Sequence, residues 1–452
     1  MKRRLVLFTI LALGVFALAE LASAKTVHVD VTRVGKVPVP CASEPLGTCH
    51  NRWHPAIPPV AHANPGDTII FETRDALDNQ FNRTSTAATV AAANLNRVHP
   101  LTGPVFINGA KAGDVLAVTV EKIRPGPDMF GYTVIVPGFG FLRDVFPDPF
   151  IVRWELKKKG GAAGFVATSE DMPGVRIPMN ENGFPGTIGV ALGAAETEVA
   201  FKREDALRLA GGFVLPPEPH DAVPDAICGS GKPFADRCLR TIPPRENGGN
   251  MDVKQMVAGT TLLFPCFVDG CLLTTGDVHF AQGDGEVSGT AIEMNAIVTV
   301  KVEVRRGQAK FVSQPQIEGK EVPNILKRLA PKRFIATTGI PIKAPGKVIP
   351  QMFTDGTLAG LSNIAEDVTL AARDALLNMI DLLTGANGAK SPAPKKLGAE
   401  QAYILSSVAV DLHISNLVDV PNFLVTAILP LDVFKDERDK DEKENDEKED
   451  ED

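Results

Sequence analysis

The chain has 452 residues, a net charge of −8, 40 glycines and 35 prolines. That length buries a large core and supports two or three subdomains. The acidic balance, with no basic cluster inside the folded part, argues against nucleic acid as a partner, and so much Gly and Pro favours strands joined by turns over a helical bundle.

Residues 1–24 read as a secretory signal: Lys2, Arg3 and Arg4, an apolar stretch from Leu5 to Ala19, and the small-residue sequence Ala22-Ser23-Ala24. The apolar run is short for a bilayer span and ends at Glu20. The expectation is a soluble mature protein beginning near Lys25, secreted and periplasmic. The six cysteines fit that compartment. They fall as Cys41 with Cys49, Cys228 with Cys238, and Cys266 with Cys271, and no CxxC occurs. Fifteen connectivities are open; pairing of neighbours is the expected one, and free buried thiols are the alternative. Neighbour bridges would brace loops, each by ~2–3 kcal/mol.

Residues 25–40 alternate apolar and polar side chains, a strand signal. His54 sits between Trp53 and Pro55 on proline-stiffened backbone, a segment suited to presenting a ligand. Pro65-Gly66-Asp67 and Lys111-Ala112-Gly113-Asp114 are turns, and each feeds a β-rich run. Phe139-Gly140-Phe141-Leu142 reads as an apolar rim or as core. Leu215 to Cys238 reads as a Pro/Gly-rich loop and a candidate lid.

The richest stretch is Pro243 to Glu293, where Arg245, Glu246, Asn247, Asn250, Asp277, His279, Gln282, Asp284, Glu286 and Glu293 stand among glycines and prolines. Asp277 and His279 are two apart and on a strand share a face; Asp284 and Glu286 repeat the spacing after a Gly-flanked turn. Such a set can hold a hard or borderline metal ion or do acid–base work.

Beyond it, Ala296 to Arg305 alternates as a strand. Leu361, Ile364, Val368, Ala371, Ala375, Met379 and Leu382 recur at helical steps over 361–382, and a second helix is expected over Ala399 to Ala409. Strands close the fold at Asp411 to Val418 and Leu424 to Phe434. The tail 435–452, with twelve acidic and five basic residues and no apolar one, is expected to be disordered. The predicted fold class is therefore mainly β, with sandwich or barrel subdomains and C-terminal helices. The folded domain is placed at 25–434.

Several blocks resemble the acetamidase/formamidase family: Trp53-His54-Pro55 with Ile57-Pro58-Pro59-Val60, Pro65-Gly66-Asp67 with Glu72-Thr73-Arg74-Asp75-Ala76, Asn96-Arg97-Val98-His99-Pro100 continuing to Val105, Pro137-Gly138-Phe139-Gly140, Phe184 to Val190, and Pro243 to Glu293. The resemblance runs from about residue 27 to about 434. It implies hydrolysis of formamide or acetamide to the carboxylate and ammonia, a mostly β architecture with barrel and sandwich parts and a smaller α/β part, and a homo-oligomer. The signal segment, the acidic tail and the pair Cys266 and Cys271 depart from the family pattern; two such cysteines five residues apart favour a disulfide over a catalytic thiol.

No Gly-x-Ser-x-Gly elbow occurs, which leaves metal-activated water as the preferred route. The expected ligands of a divalent metal, zinc before calcium, are His54, Asp277, His279 and Glu286. Asp284 or Glu246 is assigned the general base, and Asn247, Asn250 and Gln282 the carboxamide contacts. The alternative is a non-enzymatic periplasmic β protein that binds calcium or a small ligand at the same cluster.

Overall fold

A computed structural model describes residues 24–158, 164–179, 183–211, 213–319, 333–341, 367–417 and 424–434. All but one residue of the expected signal, the start of the 361–382 helix and the acidic tail lie outside the described residues.

Two sheets carry the mass of the fold. The first has six strands in the order Thr26–Val29, Thr68–Thr73, Ala296–Arg305, Val115–Pro125, Thr260–Pro265 and Gln316–Gly319. Only its first pair is parallel. In Ala296–Arg305 the alternation seen in the sequence becomes burial: Ala296, Val298, Val300 and Val302 face inward. β-Branched side chains suit a pleated, half-buried surface.

The second sheet runs Arg176–Met179, Phe165–Thr168, Phe150–Lys158, Phe130–Ile135, Glu293–Met294, Leu273–His279, Phe184–Gly189 and Gly248–Asn250, with Leu101–Ile107 branching from Leu273–His279. The two sheets contribute to one apolar core, which joins Val298 and Phe71 of the first to Trp154, Leu273 and Val278 of the second. The mainly β expectation is met as a sandwich. The barrel expectation is corrected, because among the described residues neither strand order closes on itself. Disulfides join Cys41–Cys49, Cys228–Cys238 and Cys266–Cys271, the neighbour pairing.

The C-terminal part is a three-stranded sheet, Phe334–Gly339, Leu424–Pro430 and Asp411–Asn416, covered by the helix Val368–Thr384. Asp367 caps that helix through Thr369 and Leu370, and Gly385 ends it in the left-handed conformation. The helix Ala399–Ala409 is buried from Ala402 to Ala409 and enters the main core. Its polar side chains hold the segment 286–290 rather than facing water. The Tyr403 hydroxyl donates to the Val287 carbonyl and accepts from the Leu142 amide at 2.8 Å. The Ser407 hydroxyl donates to the Thr290 carbonyl at 2.7 Å and accepts from the Ser288 amide at 3.0 Å.

Tyr403→Phe leaves the buried Leu142 amide without its acceptor, while the Val287 carbonyl keeps the Phe141 amide at 2.8 Å. It should cost about 1–3 kcal/mol, read as a lowered denaturant midpoint with an unchanged slope.

Candidate active site

The strand Leu273–His279 is buried along its whole length and is hydrogen-bonded to Phe184–Gly189 on one side and to Leu101–Ile107 and Glu293–Met294 on the other. Asp277 adopts a positive φ of 51°, rare for a non-glycine residue. Even so, its carboxylate and the His279 imidazole converge, with Nε2 3.3 Å from Asp277 Oδ1. Glu293, on the adjacent strand, is the register partner of His279 and places Oε2 3.4 Å from Nε2. Glu286 Oε1 at 3.8 Å and Asp252 Oδ1 at 3.9 Å complete the ring around that nitrogen.

Room for the imidazole comes from Gly186: a Cβ there would lie 2.6 Å from the His279 ring. The tautomer is set behind it. Gln282 donates from its Nε2 amide to the Asp252 carbonyl at 2.8 Å, which turns its Oε1 toward His279 Nδ1 at 2.7 Å. Nδ1 is therefore the donor, and Nε2 is the atom offered to the carboxylates.

Four carboxyl groups meet here, and each is buried or nearly so. Burial pushes the acids Glu293 and Asp252 well above the carboxylate range, and neighbouring carboxylates push in the same direction. Burial together with Asp277 raises Glu286 to about 7. Burial opposes ionisation of Asp277 as well, but His99 and His279 outweigh it and hold its carboxyl well below the usual range. His279 is the reverse case: burial favours the neutral ring, and Glu293 and Asp277 overcome it, raising the imidazole well above its ordinary value. Glu293 Oε2, Asp252 Oδ1 and His99 Nδ1 are buried without a hydrogen-bond partner. Two donor sets around His279 have ligand atoms within 4.8 Å of one another, Asp277–His279–Glu293 and Asp252–His279–Glu286; a third such set, Asp284–Asp411–His413, lies apart from them. Orphaned acceptors, excess carboxylate and a lone imidazole nitrogen are what a divalent cation satisfies. The cluster can hold one.

A cavity of about 100 Å³ opens onto this cluster. Asp277, Glu286, Glu293, His99 and Asn250 are its polar lining; Leu77, Leu95, Val98, Val136 and Ile242, which pack in one apolar cluster, make its apolar end together with Phe139. Asn250 Oδ1 lies 2.8 Å from the Thr187 hydroxyl, which also sits 3.0 Å from Asp277 Oδ2.

The structure thus brings together Asp277, His279 and Glu286 of the expected ligand set, but not His54. His54 stacks on Phe234 at 4.2 Å between ring centroids, and its Nδ1 accepts the Ala56 amide at 3.1 Å. It belongs to neither donor set. The proline-stiffened segment serves packing instead, with Trp53 buried against Leu101, Leu192 and Leu239. Glu246 is likewise away from the cluster, in a bidentate pair with Arg203 of the helix Ala194–Leu209, at 2.5 and 3.0 Å. Asp284 lies beyond the Gly283 turn with Lys254, Asp411 and His413; its Oδ2 is 3.6 Å from Lys254 Nζ. Of the three amides, Asn250 lines the cavity, Asn247 donates to the Val190 carbonyl at 2.6 Å, and Gln282 orients His279. Leu142 of the expected rim is core, whereas Phe139 is a wall of the cavity. Asp252, Glu293 and His99 received no role from sequence reasoning. For Glu293 the available signal was its place at the start of a strand that pairs with His279. Asp252 and His99 carried no local pattern.

A family model describing the acetamidase/formamidase family matches residues 41–436. The chain belongs to that family. An acetamidase of Mycolicibacterium smegmatis is 33% identical over 383 residues, covering 79% of this chain and 84% of its own. A formamidase of Methylophilus methylotrophus is 31% identical over 405 residues, covering 86% and 90%. The solved structure of a gamma lactamase from Delftia acidovorans superposes with a TM-score of 0.75 at 31% identity, covering 91% of this chain and 94% of that one. Membership of the acetamidase/formamidase family makes the chain an amide hydrolase.

Behind the cavity wall, Asp75 Oδ1 accepts the Tyr132 hydroxyl at 2.7 Å and the Leu77 amide at 3.0 Å. Burial raises its carboxyl to about 7. Below about pH 4 both folded and unfolded chains keep this proton; between about 4 and 7 only the folded chain does, so rising pH favours unfolding. The stability lost across that window should shrink in Asp75→Asn, measured by denaturant titration at several pH values. Gly186→Ala should displace the His279 ring and lower kcat/KM by about 100-fold or more, with the far-ultraviolet spectrum unchanged.

Proposed function

We propose that this chain hydrolyses short-chain aliphatic amides to the carboxylate and ammonia, with the help of a divalent metal ion, zinc before calcium. The observation that carries the reading is His279 Nε2 facing four carboxyl groups, Asp277 and Glu293 buried and Asp252 and Glu286 partly so, at the polar end of a small cavity. The acetamidase and formamidase relatives support the substrate class. Asp277, His279 and Glu293 would hold the ion, leaving a coordination position toward the cavity. One imidazole among few protein donors suits zinc, whereas calcium prefers six to eight oxygens. When bound, such an ion polarises a carbonyl and acidifies water.

The remaining residues have separable tasks. Glu286 lines the cavity beside the Asp277–His279–Glu293 donor set, where its carboxylate is placed to take a proton from water and hand it to the departing nitrogen. Asn250 and His99 stand where they can hydrogen-bond the carboxamide. Gln282 keeps the His279 ring in one tautomer. The apolar side chains opposite limit water around the reacting carbonyl.

Export to the periplasm belongs to the same proposal; the signal-like start and three disulfides support it. So does assembly into a homo-oligomer, for which Val199, Leu207 and Leu209 offer exposed apolar surface on one helix.

Ammonia release from acetamide should vanish on chelation and return on adding zinc. Glu286→Gln should lower kcat by about 100- to 10,000-fold with little change in KM, while Glu246→Gln stays within about twofold. Full turnover in metal-free protein would defeat the metal assignment, and no turnover of any amide by metal-loaded protein would favour a binding protein.

A further inference from the structure

The cavity opposite the reacting groups is built for something formamide does not have. Leu77, Leu95, Val98, Val136, Phe139 and Ile242 come from four separate segments and line the same cavity as the polar cluster. The structure holds these walls in place. Phe139 is met edge-on by Phe213 at 5.3 Å, and the Arg143 guanidinium covers the other ring at 4.9 Å. Leu95 is tied through its carbonyl to the buried Arg240, which also binds Asn96 Oδ1 at 2.9 Å. Arg52, fully buried, donates to the Asn96 carbonyl at 2.9 Å. Two buried guanidiniums thus fix the loop that carries Leu95 and Val98.

The charges at the cavity are one-sided. Its lining includes Asp277, Glu286 and Glu293 and no lysine or arginine. A carboxylate at the far end of a substrate's acyl chain would lie among apolar side chains, with no lysine or arginine to pair with. The volume, about 100 Å³, is several times the roughly 10–15 Å³ one water needs. Formamide offers a hydrogen atom to this apolar end and would leave it to water.

We propose that the apolar end is an acyl pocket that makes uncharged amides of three- and four-carbon acids the preferred substrates, and excludes amides with a second, ionised carboxyl group. The proposal rests on the amide-hydrolase reading above and specifies its substrate. Leu77, Val136 and Ile242 are its specificity-determining side chains. Each methylene that leaves water for such a wall raises transition-state binding, and so kcat/KM, by between about fourfold and tenfold.

The test is the kcat/KM series formamide, acetamide, propionamide and butyramide in zinc-loaded protein, together with succinamate, in which a carboxylate replaces the terminal methyl of butyramide. The expected result is a rise from formamide to butyramide of about tenfold or more, with succinamate at least about tenfold poorer than butyramide. Ile242→Phe, which narrows the apolar end, should lower the butyramide-to-acetamide ratio by about fivefold or more. Val136→Phe should do the same by an independent route, and a melting curve on each confirms that the fold is intact. A series that is flat or falls from formamide, or succinamate cleaved as well as butyramide, would overturn the acyl pocket while leaving the amidase standing. Failure of every amide, acetamide included, would overturn both.

Discussion

The arrangement that the rest of the structure serves is one imidazole nitrogen ringed by four carboxyl groups, two buried and two partly buried. Such a cluster is unstable by itself. Carboxylates removed from water and placed side by side repel one another, and the chain responds by raising Glu293, Asp252 and Glu286 while one proton is drawn to His279. A cation in place of those protons relieves the same repulsion. The cluster persists because the surrounding structure over-determines it. Its members sit on hydrogen-bonded strands or on loops anchored by buried contacts, and none can retreat to solvent without breaking the sheet or those contacts.

That explains features that otherwise look unrelated. Asp277 and Glu286 both hold positive φ values, a local strain tolerated where neighbours enforce it. Gly186 yields its side-chain volume to His279, and Gly283 does so for the Val410 backbone, where a Cβ would come within 2.1 Å of the carbonyl oxygen. The helix Ala399–Ala409, far along the chain, spends Tyr403 and Ser407 on the loop that presents Glu286, Ser288 and Thr290. The C-terminal part is thus a brace for the site as much as a layer of the fold. Lys254 adds to this, pairing with Asp411 and Asp284 where the C-terminal sheet meets the 282–286 turn.

Much of the fold was legible from pattern. Val298, Val300 and Val302 announced an inward face by their spacing, and the helix expected over Ala399 to Ala409 has those bounds in the structure. Asp277 and His279 stood out because two polar groups at strand spacing inside an apolar run need a reason to be buried. Glu246 and His54 misled for a physical reason too. A charged or aromatic residue in a rich motif can equally be met by a partner remote in sequence, here Arg203 and Phe234. Nothing in the local order of residues distinguishes these cases.

The amino-acid sequence by itself determined the strand-rich class, the boundaries of the late helix, the polar strand at the centre and the pool of acidic residues around it, because alternation, helical period and turn chemistry act over a few residues. Only the tertiary structure decided which acids face His279. Asp252, Glu286 and Glu293 arrive there through sheet register and a tight turn, and His99 through a loop clamped by buried arginines. Such meetings depend on how distant segments are packed and on which charges burial can tolerate together, and neither is encoded in any short stretch of chain.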